Sequence, residues 1–351
     1  MNQAGAAGLL VSMMLVGCAT TVNETVSPGE DSGTSRQGKL VIAHRGASGY
    51  LPEHTLEAKA MAYAQGADFI EQDLVMSKDD HVIVLHDLYL DTVTDVRDVF
   101  PNRARADGRY YVIDFTLAEL RQLAVIERFD LADGIKAAVF EQRFPLERSS
   151  FRIATCAEEI ELIQGLNQST GGSVGIYPEI KNPAFHHDEG KDIATAALKV
   201  LSTYGYRERS DRIFFQCFDA KELQRIHDDL LPAMNLDIAL VQLLRTEPED
   251  QAAVTPEGMK TIASYAAGIG PSMGLIVDSD SAAANLRITK LVEIANELGL
   301  VVHPYTFRRD LLPPYAADYD ELLKIFLVDI GVDGVFTDFP DLTADFIKSA
   351  L

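Results

Sequence analysis

Leu40-Val41-Ile42-Ala43-His44-Arg45-Gly46 is an apolar run that stops on an imidazole and a guanidinium, and Phe69-Ile70-Glu71-Gln72-Asp73-Leu74-Val75 carries two carboxylates inside the next such run. Comparable runs, mostly β-branched, recur at 174–180, 213–217, 238–243, 275–277, 300–303 and 334–337, which makes eight. Between them lie stretches with helical spacing of apolar residues, at 54–65, 156–166, 193–204, 220–229, 287–298 and 319–330. Eight alternating units predict an α/β chain folded as a (β/α)8 TIM barrel. A doubly wound sheet is the competing arrangement, but His44-Arg45-Gly46-Ala47-Ser48-Gly49 after the first run lacks the spacing of a Gly-rich phosphate loop. A barrel places its working residues at the carboxyl ends of its strands. His44, Glu71, Asp73, Glu179, Lys181, Gln216, His303, Tyr305 and Asp338 all fall at or near run ends.

On a strand, side chains two apart share a face, so Glu71 and Asp73 can hold one cation while Gln72 turns away. Glu179, in Gly175-Ile176-Tyr177-Pro178-Glu179-Ile180-Lys181, is the expected third carboxylate. An all-oxygen set suits a hard ion such as Ca²⁺ or Mg²⁺; one divalent cation is expected, with Ca²⁺ preferred and Mg²⁺ the alternative that the donor set leaves open. Carboxylates inside apolar runs are not ordinary surface charges, because burying an unpaired one costs several kcal/mol. Arg45 and Lys181 add positive charge beside the ion, a combination that suits a phosphate. His44 and His86, the latter in His86-Asp87, can work as a general acid and base on either side of a phosphorus centre. Gln216, His303 and Tyr305 are expected to line the pocket, and Glu53 and His54 suit a helix cap as well as a substrate contact. His186-His187-Asp188-Glu189 reads as an exposed loop.

The set His44-Arg45, Glu71-Gln72-Asp73 and His86-Asp87 resembles the signature of the glycerophosphodiester phosphodiesterase family. The segment from Ala47 to Thr55 resembles its bacterial periplasmic branch, and the likeness continues through Tyr177–Lys181 to Thr337-Asp338-Phe339-Pro340. The resemblance implies His44 and His86 as the acid–base pair and Glu71, Asp73 and Glu179 as metal ligands. It implies a small-molecule glycerophosphodiester as substrate, released as sn-glycerol 3-phosphate and an alcohol. The free glycerol hydroxyl would attack first, through a cyclic phosphate. Two rival readings are a phospholipase or lyase acting on intact lipid, and a surface lipoprotein that acts mainly as a binding protein.

The 351 residues, 47% of them apolar, suffice for one large barrel, and a formal charge of −22 disfavours nucleic acid. About eighty residues separate His86 from Glu179, far more than one crossover helix needs. The surplus, 88–150, is expected as an insertion after the second strand, with a helical patch at 116–123. Residues 1–18 read as an export signal ending in Leu15-Val16-Gly17-Cys18, which resembles a lipobox, although no Lys or Arg precedes the apolar stretch. Cys18 would then carry the lipid, the only membrane contact, and the protein would sit in the periplasm or on the cell surface, with the outer membrane favoured. Residues 19–38 read as a flexible tether and 39–351 as the catalytic domain. Cys156 and Cys217 are expected as two buried thiols.

Overall fold

The computed structural model describes Met1 and residues 38–351, apart from Asp133, Glu147 and Ser149. The expected signal, Cys18 and nearly all of the tether lie outside the described residues. Eleven strands are described: β1 (Leu40–Ala43), β2 (Phe69–Met76), β3 (Val82–Val84), β4 (Phe129–Ala132), β5 (Ile135–Ala138), β6 (Gly175–Ile180), β7 (Phe214–Cys217), β8 (Ala239–Leu244), β9 (Gly268–Pro271), β10 (Val301–Val302) and β11 (Gly334–Thr337). Eight of them run parallel in the order β10-β9-β8-β7-β6-β2-β1-β11. Backbone bonds from Asp333 N–H to the Val302 carbonyl (3.1 Å) and from Phe336 N–H to the Pro304 carbonyl (3.0 Å) draw the two ends together. The result is a nearly closed (β/α)8 barrel.

Burial on both faces is what makes these strands read as unbroken apolar runs: all eight residues of β2 and all six of β6 are buried. Inside the barrel, Ile42, Phe69, Tyr177, Val241 and Phe336 form one cluster. Tyr177 stacks on Phe214 (5.0 Å between centroids) and meets Phe336 edge-on (4.9 Å). Burying each such side chain is worth ~1.5–3 kcal/mol. His303 belongs to this plug, with Nδ1 3.0 Å from the Tyr177 hydroxyl. It sits under the pocket rather than lining it, which corrects the expectation for that residue. Helices cover the outside of the barrel, their apolar stripes joining the outward faces of the strands in the main core.

One strand is not where the sequence pattern puts it. Residues 275–277 belong to the end of a short helix, Met273–Ile276, and the strand is the Gly-Ile-Gly-Pro segment β9. A Cβ on Gly268 would overlap Val301, and one on Gly270 would overlap Leu243, so glycine lets both neighbouring strands close in.

The insertion follows the antiparallel β2–β3 hairpin and has its own core: Leu90, Val96, Tyr110, Phe115, Leu120 and Val125 pack with Val75 and Ile83 of the hairpin. The helical patch expected at 116–123 is a single turn, Leu117–Leu120, started by a capping box of Thr116 and Glu119. Farther on, β4 and β5 form a separate two-stranded hairpin. Cys156 and Cys217 are both free and buried, as expected.

Candidate active site

Register builds the site. Asp73 of β2 pairs with Glu179 of β6, Glu179 with Gln216 of β7, and Glu71 lies one inward position below Asp73. Carboxylate oxygens of Glu71, Asp73 and Glu179 all lie within 4.8 Å of one another, and all three residues are buried. So close a group cannot hold three negative charges unaided. Burial, then the Asp73 charge, pushes Glu71 well above its usual value, and burial pushes Glu179 up to about 7 despite Lys181. Asp73 stays ionised: burial opposes it, but Lys181, His86 and His54 hold its carboxyl well below the usual range. Asp73 Oδ1 is buried without a hydrogen-bond partner. An orphaned buried oxygen between two other carboxyls fits a divalent cation.

Lys181 Nζ is 2.7 Å from Glu179 Oε1 and 3.5 Å from Asp73 Oδ1. Arg45 takes a left-handed backbone (φ 58°), which turns its N–H onto Glu71 Oε2 at 2.8 Å. The next residue, Gly46 (φ 89°), leaves no room for a Cβ against the Ala58 backbone. The Arg45 guanidinium reaches Glu53 at 3.0 Å and Asp73 Oδ2 at 3.5 Å. Gln216 donates to Glu71 Oε1 at 3.3 Å, and the Tyr305 hydroxyl donates to the Leu244 carbonyl at 2.9 Å while its ring faces Phe218.

Each of the two histidines is backed by a carboxylate. His44 Nδ1 is 2.6 Å from Asp338 Oδ1, and His86 Nδ1 is 2.7 Å from Asp87 Oδ1. Burial, then the Arg45 charge, lowers both imidazoles to about 4, so both are neutral at neutral pH. Despite burial, Arg308 and then His44 hold the Asp338 carboxyl well below the usual range, and the His86 hydrogen bond and then Arg128 do the same for Asp87. A neutral imidazole beside an ionised carboxylate keeps its proton on Nδ1, which leaves Nε2 with a free lone pair. His44 Nε2 lies 3.9 Å from Glu71 Oε2.

His44, Arg45, Glu71, Asp73, His86, Glu179, Lys181, Gln216 and Tyr305 therefore come together, while His303 does not. They line a cavity of about 490 Å³, whose neighbour of about 790 Å³ shares His86, Glu179, Lys181, Phe218, Ser272 and Tyr305 with it. Two expectations nearby are corrected. The cap of helix Leu56–Ala64 is Thr55, not Glu53 or His54. His54 instead bonds Asp73 Oδ2 through Nε2 (2.8 Å), with Lys59 Nζ 3.2 Å from its Nδ1. His186 and His187 lie in helix Pro183–Asp188, and His186 is fully buried, accepting the Met76 N–H at 3.1 Å. Sequence reasoning missed the buried pair Lys59–Glu159 (3.2 Å), although Lys59 shares a buried helical stripe with Ala58 and Ala62. Lys59 also donates to the Glu71 carbonyl.

The family model described as "Glycerophosphoryl diester phosphodiesterase family" matches residues 44–342, from the first site histidine to beyond Asp338. The chain belongs to this family. With membership goes the activity, phosphodiesterase cleavage of glycerophosphodiesters. A glycerophosphodiester phosphodiesterase of Haemophilus influenzae is 46% identical, over 98% of each chain. A solved structure from Silicibacter pomeroyi superposes with TM-score 0.65 at 24% identity, covering 89% of this chain and 93% of its own. An Oleispira antarctica phosphodiesterase, solved with the product sn-glycerol-3-phosphate, has TM-score 0.58 at 21% identity, covering 88% and 96%. These two likenesses establish the barrel.

Proposed function

We propose that the chain converts glycerophosphodiesters, the deacylated head groups of phospholipids, to sn-glycerol 3-phosphate and an alcohol, with His44 and His86 as acid and base and one divalent cation on Glu71, Asp73 and Glu179. The observation that carries this reading is the pair of neutral imidazoles, each held at Nδ1 by a carboxylate, beside three carboxyls crowded within 4.8 Å. When bound, the cation supplies Lewis-acid neutralisation of the phosphate oxygens. Three protein carboxylates favour Ca²⁺, since Mg²⁺ more often keeps its waters and takes one or two.

The residues do the rest. Arg45 and Lys181 hold the phosphate, and Gln216 and Tyr305 bound the space for the alcohols. One Nε2 lone pair accepts the proton of the attacking hydroxyl as its oxygen bonds to phosphorus. The other imidazole, having taken up a proton from solvent beside the anionic phosphate, delivers it to the departing alcohol oxygen as that oxygen's bond to phosphorus breaks, and water then opens the cyclic phosphate to sn-glycerol 3-phosphate with the two roles exchanged. The product named in the Oleispira antarctica structure agrees with sn-glycerol 3-phosphate as the product here.

The test is a panel of glycerophosphodiesters assayed after EDTA treatment and after return of Ca²⁺ or Mg²⁺ singly. Activity that survives chelation sinks the cation role, and turnover of intact phospholipid in preference to the deacylated panel sinks the substrate class. The reading extends to lipid anchoring at Cys18 and a periplasmic or surface location, supported by the Leu15–Cys18 segment. Radiolabelled fatty acid that fails to label the protein through Cys18 in cells would end that part.

A further inference from the structure

The carboxylates behind the two histidines are themselves held, each by an arginine of the insertion. On the His44 side, Asp338 Oδ2 accepts from Arg143 Nη2 at 2.7 Å and from Arg308 Nε at 2.7 Å. On the His86 side, Asp87 Oδ2 accepts from Arg128 Nη1 at 2.7 Å. Arg128 and Arg143 both come from the insertion and flank the β4–β5 hairpin, which begins at Phe129 and ends at Ala138. A backbone bond from Val139 N–H to the Arg128 carbonyl (3.1 Å) closes the base of that hairpin. Each guanidinium is fixed a second time. Arg128 donates to both oxygens of Glu53 (2.6 and 3.0 Å), and Arg143 to both oxygens of Asp310 (2.8 and 3.0 Å). Arg143 further packs over the Phe140 ring at 3.7 Å and donates to the Ser48 carbonyl.

Only 5% of the Arg143 side chain is exposed, and Arg128 is a fifth exposed. Ion pairs at this depth that merely braced the hairpin would have no reason to end on the two carboxylates that touch the two imidazoles. An aspartate beside an imidazole fixes its tautomer and ring angle, and a cation on the far oxygen keeps that aspartate ionised and in place. We propose that Arg128 and Arg143 are positioning residues for the alcohol-releasing step, and that the segment around the hairpin sets both imidazoles, His86 through Asp87 and His44 through Asp338. The insertion is then a part of the acid–base apparatus as well as a wall of the pocket. Arg308 serves only the His44 side and comes from the barrel itself, after β10.

This inference rests on the two-histidine reading, and the experiment separates them. The full chain with Ca²⁺ is assayed in single turnovers on two glycerophosphodiesters, one releasing ethanolamine and one releasing p-nitrophenol. The second leaving group departs without a proton, so loss of the general acid is spared there and loss of the base is not. Arg128→Gln and Arg143→Gln are each expected to lose about 10–100-fold in the rate on the ethanolamine diester, with KM and Ca²⁺ affinity near wild type. On the p-nitrophenyl diester one variant recovers and the other does not, because the arginines serve opposite histidines. Equal losses on both substrates, recovery of both variants, or no loss in either overturns the proposal. If a Gln variant does not fold, the Lys variant is read by the same criteria, since Lys keeps the charge but cannot bridge two carboxylates as Arg does. His44→Ala and His86→Ala are the reference. If neither shows a loss that depends on the leaving group, the two-histidine reading fails, whereas discrimination by the histidine variants alone sinks only the clamp.

Discussion

The same strand faces build two opposite environments. Phe69 on β2, Tyr177 on β6 and Phe214 on β7 point inward low in the barrel and form an aromatic plug. Glu71 and Asp73, Glu179 and Gln216 continue those inward rows and form a cluster of carboxyls and an amide. The plug is held by ring faces, ring edges and the Tyr177–His303 hydrogen bond, and it carries no charge, although His303 Nε2 is buried without a partner. The mouth is the reverse, with raised carboxyls and an orphaned Asp73 oxygen that protein groups alone leave unsatisfied. A change of residue type every second position thus divides a strand into a half that stabilises and a half that waits for a cation and a phosphate.

Replacing residues in each half should break this contrast in different currencies, and the largest effect belongs to the mouth. Glu71→Ala is expected to lose Ca²⁺ binding and reduce turnover to background, as read by calorimetry and alcohol release. A rate near wild type would remove Glu71 from the cation site. His44→Ala should keep Ca²⁺ yet lose about 10²–10⁴-fold in rate, the usual share of an acid–base group. Loss of Ca²⁺ affinity instead would make His44 a support of the metal site.

Tyr177→Ala, in the plug, should cost about 3–5 kcal/mol of folding stability. Urea unfolding measures it, and a change below about 1 kcal/mol, the scale of one hydrogen bond, would mean the plug is not what holds the strands. Smaller still is the pH effect on the cation-free protein. Glu179 sits at about 7 in the fold against 4.5 ordinarily, so between those values the fold keeps a proton that the unfolded chain releases. Stability therefore falls as pH rises through that window, and Glu71, Glu159 and Glu127, whose carboxyls burial also raises, add to the fall. Thermal melts after EDTA should show this slope, and Glu179→Gln or added Ca²⁺ should lessen it. A slope unchanged in Glu179→Gln assigns it wholly to the other raised carboxyls.

Much of the site was legible because its residues interrupt apolar runs: a carboxylate at Glu71, Asp73 or Glu179 has no place in a buried strand without a chemical reason. The Gly268–Pro271 strand was illegible for the opposite cause. Its glycines are poor strand formers, and their value lies in the room they leave to Leu243 and Val301, which only the assembled sheet reveals. His54 looked like a residue at a helix start because it precedes Thr55, the true cap. Its ring reaches Asp73 across nineteen positions of chain. The Lys59–Glu159 pair joins two helices whose contact no local pattern announces.

From the chain alone came the alternation of strand and helix, the two-residue spacing of Glu71 and Asp73, and the motif set that marks the family, since each depends on period and residue type within a few positions. Tertiary structure decided which groups stand behind those residues. His44 and Asp338 are 294 positions apart and meet because β1 and β11 are parallel neighbours in the sheet. Arg128 and Arg143 reach the two aspartates only because the insertion folds back over the mouth. Electrostatic contacts carry no periodic signature along a chain, so their partners become visible only once the backbone has brought them within a few ångströms.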